Sequence, residues 1–428
     1  MKPYATLSVD ELKQELLTVQ AEYEHLKTKQ LRLDMSRGKP GVEQLKLSAG
    51  LLTALTDIDD CMDDGIDARN YGVLSGLPSA KRLFSELLDV APERILIGGN
   101  ASLQMMYTLI SFAYSHGMKN SPTPWCKRDK LRFLCPVPGY DRHFRITEHF
   151  GIEMLSVPLT EQGPDMDVVE RLVADPTVVG MWCVPKFSNP DGILYSEETV
   201  DRIARLRPAC PDFLLMWDNA YCVHELSESY QPLTNIHALC DRYGTSDMVY
   251  EFASTSKITF PGAGISCIAA SEANISYLVK MLTPQTIGFD KLNQLRHVRF
   301  LKDRATVLCH MQKHAALLRP RFDTVLRLLD ERILPLGLAH YSRPKGGYFI
   351  SLYALPHTAK RTVALCKEAG LVVTPAGAAY PYGIDPEDSN IRIAPSVPSI
   401  TELESAMEIL CVCLRLAALE RFLSERSN

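Results

Sequence analysis

The 428-residue chain sets 46 lysines and arginines against 51 acidic residues, a formal net charge of -5, with 46% hydrophobic and 23% charged content. That balance leaves no electrostatic footprint for nucleic acid, and no basic run of five or more residues occurs. No apolar run approaches the ~20 residues that a bilayer-crossing helix needs, and Asp10, Glu11 and Glu15 argue against a signal peptide. The twelve cysteines are spread from Cys61 to Cys413 without a C-x-x-C pair or an H-E-x-x-H motif, so neither a metal site nor a disulfide framework is expected. Cys135, Cys183, Cys222 and Cys267 fall in strand-like runs, where a thiol packs as a small hydrophobe. A reduced, cytoplasmic protein is expected, long enough for two hydrophobic cores because single cores stop growing near roughly 250–300 residues.

Residues 8–30 read as a helix: Ser8 and Glu11 form a capping box, and Leu12, Leu16, Val19, Tyr23 and Leu26 recur at helical spacing. Asp34-Met35-Ser36-Arg37-Gly38-Lys39-Pro40-Gly41 reads as a loop. Tyr71-Gly72 and Gly76-Leu77-Pro78 precede a helical run from Ser79 to Leu88. Ile95-Leu96-Ile97 reads as a strand, Gly98-Gly99 as a turn, and Asn100-Ala101-Ser102 as the start of a helix whose free N–H groups suit an anion.

Strand-like and helix-like segments then alternate. Strands are expected at Leu131–Cys135, Met154–Val157, Val178–Val184, Phe213–Trp217, Met248–Phe252 and Ile265–Ala270, with a helix through Glu198 and Leu206 between two of them. The pattern predicts an α/β fold: a large domain with a mainly parallel sheet flanked by helices, plus a smaller α/β C-terminal domain. Residues 290–333 are helical in pattern and read as one long connector. Strands at Gly347–Leu352, Leu371–Thr374 and Ile391–Ala394 follow, with a helix at Ala359–Ala369 and a last helix capped by Thr401 and Glu404. The expected division is an N-terminal segment, 1–45, packing with the small domain, a large cofactor-binding domain, 46–315, and a small domain, 316–428.

In such sheets ligands sit beyond the carboxyl ends of the strands. Pro138-Gly139-Tyr140, Ser188-Asn189-Pro190, Asp218-Asn219-Ala220-Tyr221 and Ser254-Thr255-Ser256-Lys257 all fall at such ends. A lysine over a cavity there loses its proton readily and attacks carbonyls, as a Schiff-base lysine does. Around an aldehyde cofactor held by Lys257, Asp218 would keep a ring nitrogen protonated by opposing charge. Asn189 and Tyr221 would bond a ring hydroxyl, and Tyr140 would lie over the ring face. Ala101, Ser102, Ser254 and Ser256 would take a phosphate. Arg392 offers a guanidinium fork for an amino-acid carboxylate.

These motifs, together with Ile258-Thr259-Phe260-Pro261-Gly262-Ala263-Gly264 and Asn293-Gln294-Leu295-Arg296-His297, resemble fold-type I aminotransferases dependent on pyridoxal 5'-phosphate. More narrowly, they are similar to a divergent aspartate aminotransferase subgroup. The resemblance covers nearly the whole chain. It implies transamination between an L-amino acid, foremost L-aspartate, and 2-oxoglutarate. By the same resemblance Lys257, Asp218, Tyr221 and Asn189 are catalytic. Asn100, Ala101, Ser102, Tyr140, Ser254 and Ser256 join them on the cofactor, with Tyr71 reaching the phosphate of a neighbouring subunit in a homodimer. Arg392, Asn189, Gly38 and Arg37 are the implied substrate contacts. The sequence departs from the family in one place: the arginine usual after the lysine in a P-G-x-R pattern is Gly264 here. The residue for the substrate's side-chain carboxylate stays open among Lys291, Arg296 and Arg37. Alternatives are an alanine or aromatic aminotransferase, a lyase like aminocyclopropane-carboxylate synthase, or a ligand-sensing module like the aminotransferase-like transcription regulators, which carry a DNA-binding domain ahead of this fold.

Overall fold

The computed structural model describes residues 2–427. It divides into a larger unit, Glu43–Ser188 with Ile193–His314, and a smaller one, Met1–Val42 with Asn189–Gly192 and Ala315–Asn428. In chain order the first elements are α1 (Val9–Thr28), β1 (Leu33–Asp34), α2 (Val42–Leu47) and a hairpin of β2 (Met62–Asp63) and β3 (Ile66–Asp67). Then come α3 (Pro78–Leu88), β4 (Ile95–Ile97), α4 (Ser102–Ser115), β5 (Arg132–Val137), α5 (Asp141–His149), β6 (Glu153–Thr160) and β7 (Gly163–Pro164). The larger unit continues with α6 (Met166–Leu172), β8 (Val178–Cys183), α7 (Glu197–Ala204), β9 (Leu214–Asp218), α8 (Ile236–Tyr243), β10 (Val249–Ser254), β11 (Ser266–Ala269), α9 (Glu272–Leu282) and α10 (Lys291–Leu301). The chain ends with α11 (Arg304–Arg332), β12 (Ala339–Tyr341), β13 (Ile350–Ala354), α12 (Ala359–Glu368), β14 (Leu371–Val372), β15 (Asn390–Ile393) and α13 (Ile400–Ser427).

The larger unit is built on one eight-stranded sheet in the order β4-β11-β10-β9-β8-β5-β6-β7. Its centre is parallel, β10 with β9, β9 with β8, β8 with β5 and β5 with β6. Antiparallel pairs of β11 with β10 and β4, and of β7 with β6, finish its two margins. β8, β9 and most of β10 are buried at every position, as strands covered on both faces must be. Gly180 lets β8 lie flat under its neighbour: a Cβ there would meet the Phe133 ring at 2.3 Å and the Leu214 carbonyl at 2.7 Å. Cys135, Cys183 and Cys267 lie in strands as expected. Cys222 does not: it sits buried in the turn after β9, where the Asn219 carbonyl accepts its N–H at 3.2 Å.

In the smaller unit the N-terminal helix starts at the Ser8–Glu11 capping box and packs on α13. Arg415 of α13 donates to Glu22 at 2.6 Å, to Glu15 at 2.9 Å and to the Tyr4 hydroxyl at 3.1 Å. β13 joins β12 and β15 in an antiparallel sheet, while the short β14 pairs instead with β1, a partner that periodicity did not reveal. Three expected boundaries move. The helical connector is two helices, because Lys302 takes a φ of 58° and Asp303 caps the next turn through Thr306 N at 2.8 Å. The strand expected from Gly347 begins at Ile350, since Gly347 turns with φ 81°. The last capping box is Ser399 with Glu402, two residues earlier than Thr401 with Glu404; Glu404 instead faces Arg327 at 3.6 Å.

Candidate active site

Lys257 stands three residues beyond the tip of β10, on a knot tied by the buried Thr255. Thr255 donates its N–H to the Ile265 carbonyl at 2.9 Å, and its hydroxyl accepts from Ile265 N at 3.0 Å. Its carbonyl takes the N–H groups of Ile258 and Thr259 at 2.9 and 2.8 Å. Two helices brace the turn. His310 Nε2 lies 2.8 Å from the Ile258 carbonyl, and the Thr259 hydroxyl lies 2.9 Å from His297 Nε2. His297 Nδ1 donates to the Asn293 carbonyl at 2.8 Å, so Nε2 is left to accept from Thr259. Desolvation pulls the His297 pKa down to about 4, which keeps this ring neutral at physiological pH.

Desolvation also lowers the pKa of the Lys257 amine, and the Asp218 carboxylate opposes that by favouring the ammonium form. Lys257 Nζ lies 5.0 Å from the centre of the Tyr221 ring. A lysine so placed is a nucleophile at lower pH than a solvated one.

Asp218 is the last residue of β9 and is 3% exposed. Its Oδ2 accepts from His143 Nε2 at 2.9 Å, while its Oδ1 is buried with no hydrogen-bond partner. A buried carboxylate oxygen without a donor is costly unless a ligand supplies one. His143 is held from both sides, stacked on Trp182 at 4.2 Å and 6°, with Tyr140 edge-on at 5.0 Å. Trp182 in turn donates its indole N–H to Thr147 Oγ1 at 2.8 Å, which fixes β8 against α5.

A cup of hydroxyls lies at the start of α4. Ala101 is the N-cap with an extended backbone; its carbonyl accepts from Gln104 N at 3.2 Å, but it offers no side-chain cap to the first N–H groups of α4. The Ser254 hydroxyl donates to the Ser256 hydroxyl at 3.1 Å, which donates to the Asn100 carbonyl at 3.2 Å. Gly264 closes up to this cup, for a Cβ there would meet the Asn100 carbonyl at 3.0 Å and Ser256 N at 3.4 Å. Tyr71 is 83% exposed on its loop. Beside it, Lys291 Nζ donates to the Gly72 carbonyl at 3.0 Å.

The smaller unit carries a second set. Arg392 on β15 is 8% exposed, donates Nη1 to Asn189 Oδ1 at 3.2 Å, and lies 4.8 Å from the centre of the Phe349 ring. Gly38 leaves room for that ring, since a Cβ there would meet Phe349 Cζ at 2.6 Å. The loop holding Gly38 is tied to β15 and its flank through Met35 O to Ala394 N at 3.0 Å and Lys39 O to the Ser396 hydroxyl at 2.8 Å. Asn189 begins a turn in which Asp191 takes the Tyr353 hydroxyl at 2.8 Å. Arg37 is exposed.

The structure thus brings Lys257, Tyr221, Asp218 and Tyr140 to the tips of neighbouring strands, groups Asn100, Ser254 and Ser256, and sets Arg392 on Asn189. Sequence reasoning missed His143, although it lies one helical turn after Tyr140, on the same helix face. It also missed the brace formed by Asn293, His297 and His310, whose partners are backbone carbonyls and a hydroxyl far away in sequence.

A family model described as aspartate amino-transferase matches residues 7–426. An aspartate aminotransferase of Corynebacterium glutamicum is 45% identical over 404 residues, 94% of this chain and 94% of that protein. The crystal structure of an aspartate transaminase from Corynebacterium glutamicum matches with a TM-score of 0.95 at 44% identity, covering 97% of this chain and 98% of that one. An α-aminoadipate aminotransferase from Thermus thermophilus, complexed with N-(5'-phosphopyridoxyl)-L-leucine, matches with a TM-score of 0.73 and 97% and 96% coverage; at 19% identity it attests the fold alone.

Proposed function

The chain belongs to the aspartate amino-transferase family, and on that footing we propose that it transfers the amino group of L-aspartate to 2-oxoglutarate, in two half-reactions on one site. The family's cofactor is pyridoxal 5'-phosphate, and the residues present suit it. The orphaned Asp218 Oδ1 offers an acceptor to a pyridinium N–H, the Ser254–Ser256 cup and the start of α4 offer donors to a phosphate, and Lys257 offers an amine to an aldehyde. The single observation that carries the reading is this pairing of a desolvated lysine with a buried carboxylate that lacks a donor on one oxygen.

When bound, the cofactor supplies an electron-withdrawing ring that accepts the charge left as the substrate's Cα loses its proton. Asp218 holds the proton on the ring nitrogen by opposing charge, and His143 fixes the carboxylate's orientation from Nε2. Tyr221 and Asn189 are assigned to the ring oxygen, and Tyr140 to the ring face. Lys257 Nζ would hold the cofactor through its aldehyde and, when free, would be the base placed to take the substrate's Cα proton. Arg392 is assigned to the substrate's α-carboxylate, with Phe349 and Asn189 keeping its fork in place. Gly38 and Arg37 are assigned to the substrate side of the site.

The functional unit is proposed to be a homodimer, with the exposed Tyr71 supplied to the neighbouring subunit's phosphate, and its setting the cytoplasm. Among the described residues no helix is long and apolar enough to cross a membrane. The test is a panel of amino acids and 2-oxo acids against purified protein, with Lys257→Ala as control. Oxaloacetate must appear from L-aspartate plus 2-oxoglutarate and vanish in Lys257→Ala; a keto acid from alanine or an aromatic donor alone refutes the aspartate assignment.

A further inference from the structure

Among the described residues the phosphate cup has hydroxyls and backbone N–H groups but no cation of its own. The described hydrogen bonds of Ser254 and Ser256 run to one another and to the Asn100 carbonyl. A phosphate monoester carries close to two negative charges at neutral pH, and burying it against neutral donors alone leaves that charge uncompensated. Gly264, where the cup meets the turn after Lys257, has no side chain to help, and a Cβ there already crowds the Asn100 carbonyl and Ser256 N.

From that glycine a chain of contacts leads to one cation. The Gly264 and Ala263 carbonyls both accept from Asn293 Nδ2, at 2.9 and 3.0 Å. Asn293 Oδ1 in turn takes Arg296 Nη2 at 3.4 Å, one turn further along α10. Arg296 makes no ion pair among the described residues, and its Nε is buried with no hydrogen-bond partner. A half-sheltered guanidinium linked through Asn293 to the Ala263–Gly264 turn, with a buried donor unspent, is a cation awaiting an acceptor. Of the other cations of this helix, Lys291 already donates to the Gly72 carbonyl at 3.0 Å, and Arg299 is exposed in the last turn.

We propose that Arg296, steadied by Asn293, is the cation that compensates the cofactor's phosphate, in the place Gly264 leaves vacant. Asn293 then has two tasks: it fastens α10 to the Ala263–Gly264 turn, and it points the guanidinium. The inference rests on pyridoxal phosphate being the group held here.

The test is equilibrium binding to full-length apoprotein, followed by the absorbance of bound cofactor, with pyridoxal 5'-phosphate and, separately, with pyridoxal, which lacks the phosphate. Arg296→Gln should weaken pyridoxal phosphate about 10- to 100-fold, the scale of one charge-assisted hydrogen bond, and leave pyridoxal within about twofold. Arg296→Lys, which keeps the charge and guards against a folding defect in the glutamine variant, should recover most of the affinity. The phosphorus resonance of bound cofactor should shift in Arg296→Gln. Unchanged cofactor affinity in Arg296→Gln overturns the proposal, as does an equal loss for pyridoxal, or a loss confined to Lys291→Gln. A raised KM for aspartate with unchanged cofactor affinity would move Arg296 to the substrate's side-chain carboxylate. Failure of the unsubstituted protein to bind pyridoxal phosphate would instead overturn the functional reading itself.

Discussion

Replacing Asp218 by asparagine removes one charge and changes almost nothing else. The residue ends β9 at 3% exposure, and an amide fits the same volume and can still accept from His143 Nε2. What is lost is the opposing charge that keeps a ring nitrogen protonated. An opposite charge in contact shifts a pKa by about 1–3 units, and each unit is about 1.4 kcal/mol. The proton-abstraction step should therefore slow by roughly 10- to 1000-fold. The same substitution has a second consequence of opposite sense for the lysine. Asp218 favours the ammonium form of Lys257, so its removal lets burial lower that pKa further.

Two measurements on Asp218→Asn should then diverge. The turnover number with aspartate and 2-oxoglutarate should fall by the factor above. The rate at which apoprotein captures an aldehyde, followed against pH, should rise at lower pH than in the unsubstituted protein, because the amine is deprotonated earlier. A turnover within twofold of normal would refute the role of the charge. A capture profile displaced to higher pH would refute the electrostatic reading of the Asp218–Lys257 pair.

Arg392→Gln should raise KM for both aspartate and 2-oxoglutarate by about 10- to 100-fold in steady-state assays, since both carry an α-carboxylate and lose a charge-assisted bond. Gly180→Ala should lower stability by about 1–3 kcal/mol, seen as a lower Tm, because its Cβ would press on the Phe133 ring and the Leu214 carbonyl. His297 and His314 are held neutral by burial, with pKa values of about 4 and about 3 against an ordinary 6.5. Below pH 6.5 the unfolded chain takes up protons that the folded one refuses. Stability should thus be full above that pH and fall on acidification by up to ~1.4 kcal/mol per pH unit per histidine, read from urea midpoints at pH 7 and pH 5. A midpoint that rises on acidification would contradict this.

How much of this was legible in the sequence follows from what each feature is made of. The strand tips were readable because buried parallel strands are unbroken apolar runs, and a polar residue at the end of such a run marks the edge of the sheet. Lys257, Asp218 and Tyr140 all announce themselves in that way. β14 could not be read so: two residues are too few for any period, and its partner β1 lies more than three hundred positions away, as Leu33 against Leu371. The break between α10 and α11 was hidden because apolar spacing runs on through Lys302, and only its backbone angle ends the helix.

The same distinction separates the parts of the site. The residues assigned to a ligand were picked out from their chemistry, since a lysine, an acid and a phenol at strand ends have few other reasons to gather. Residues that hold those groups still were not, because they act through generic bonds: a histidine to a carbonyl, an amide to two carbonyls, an imidazole flat on an indole. His143 and Asn293 look like any polar residue on a helix until the strand or turn they touch is in place. Yet each fixes the direction of the charge it touches, the Asp218 carboxylate in one case and the Arg296 guanidinium in the other. A charge buried beside a ligand helps only when it points at that ligand, so these silent residues decide whether the legible ones can work.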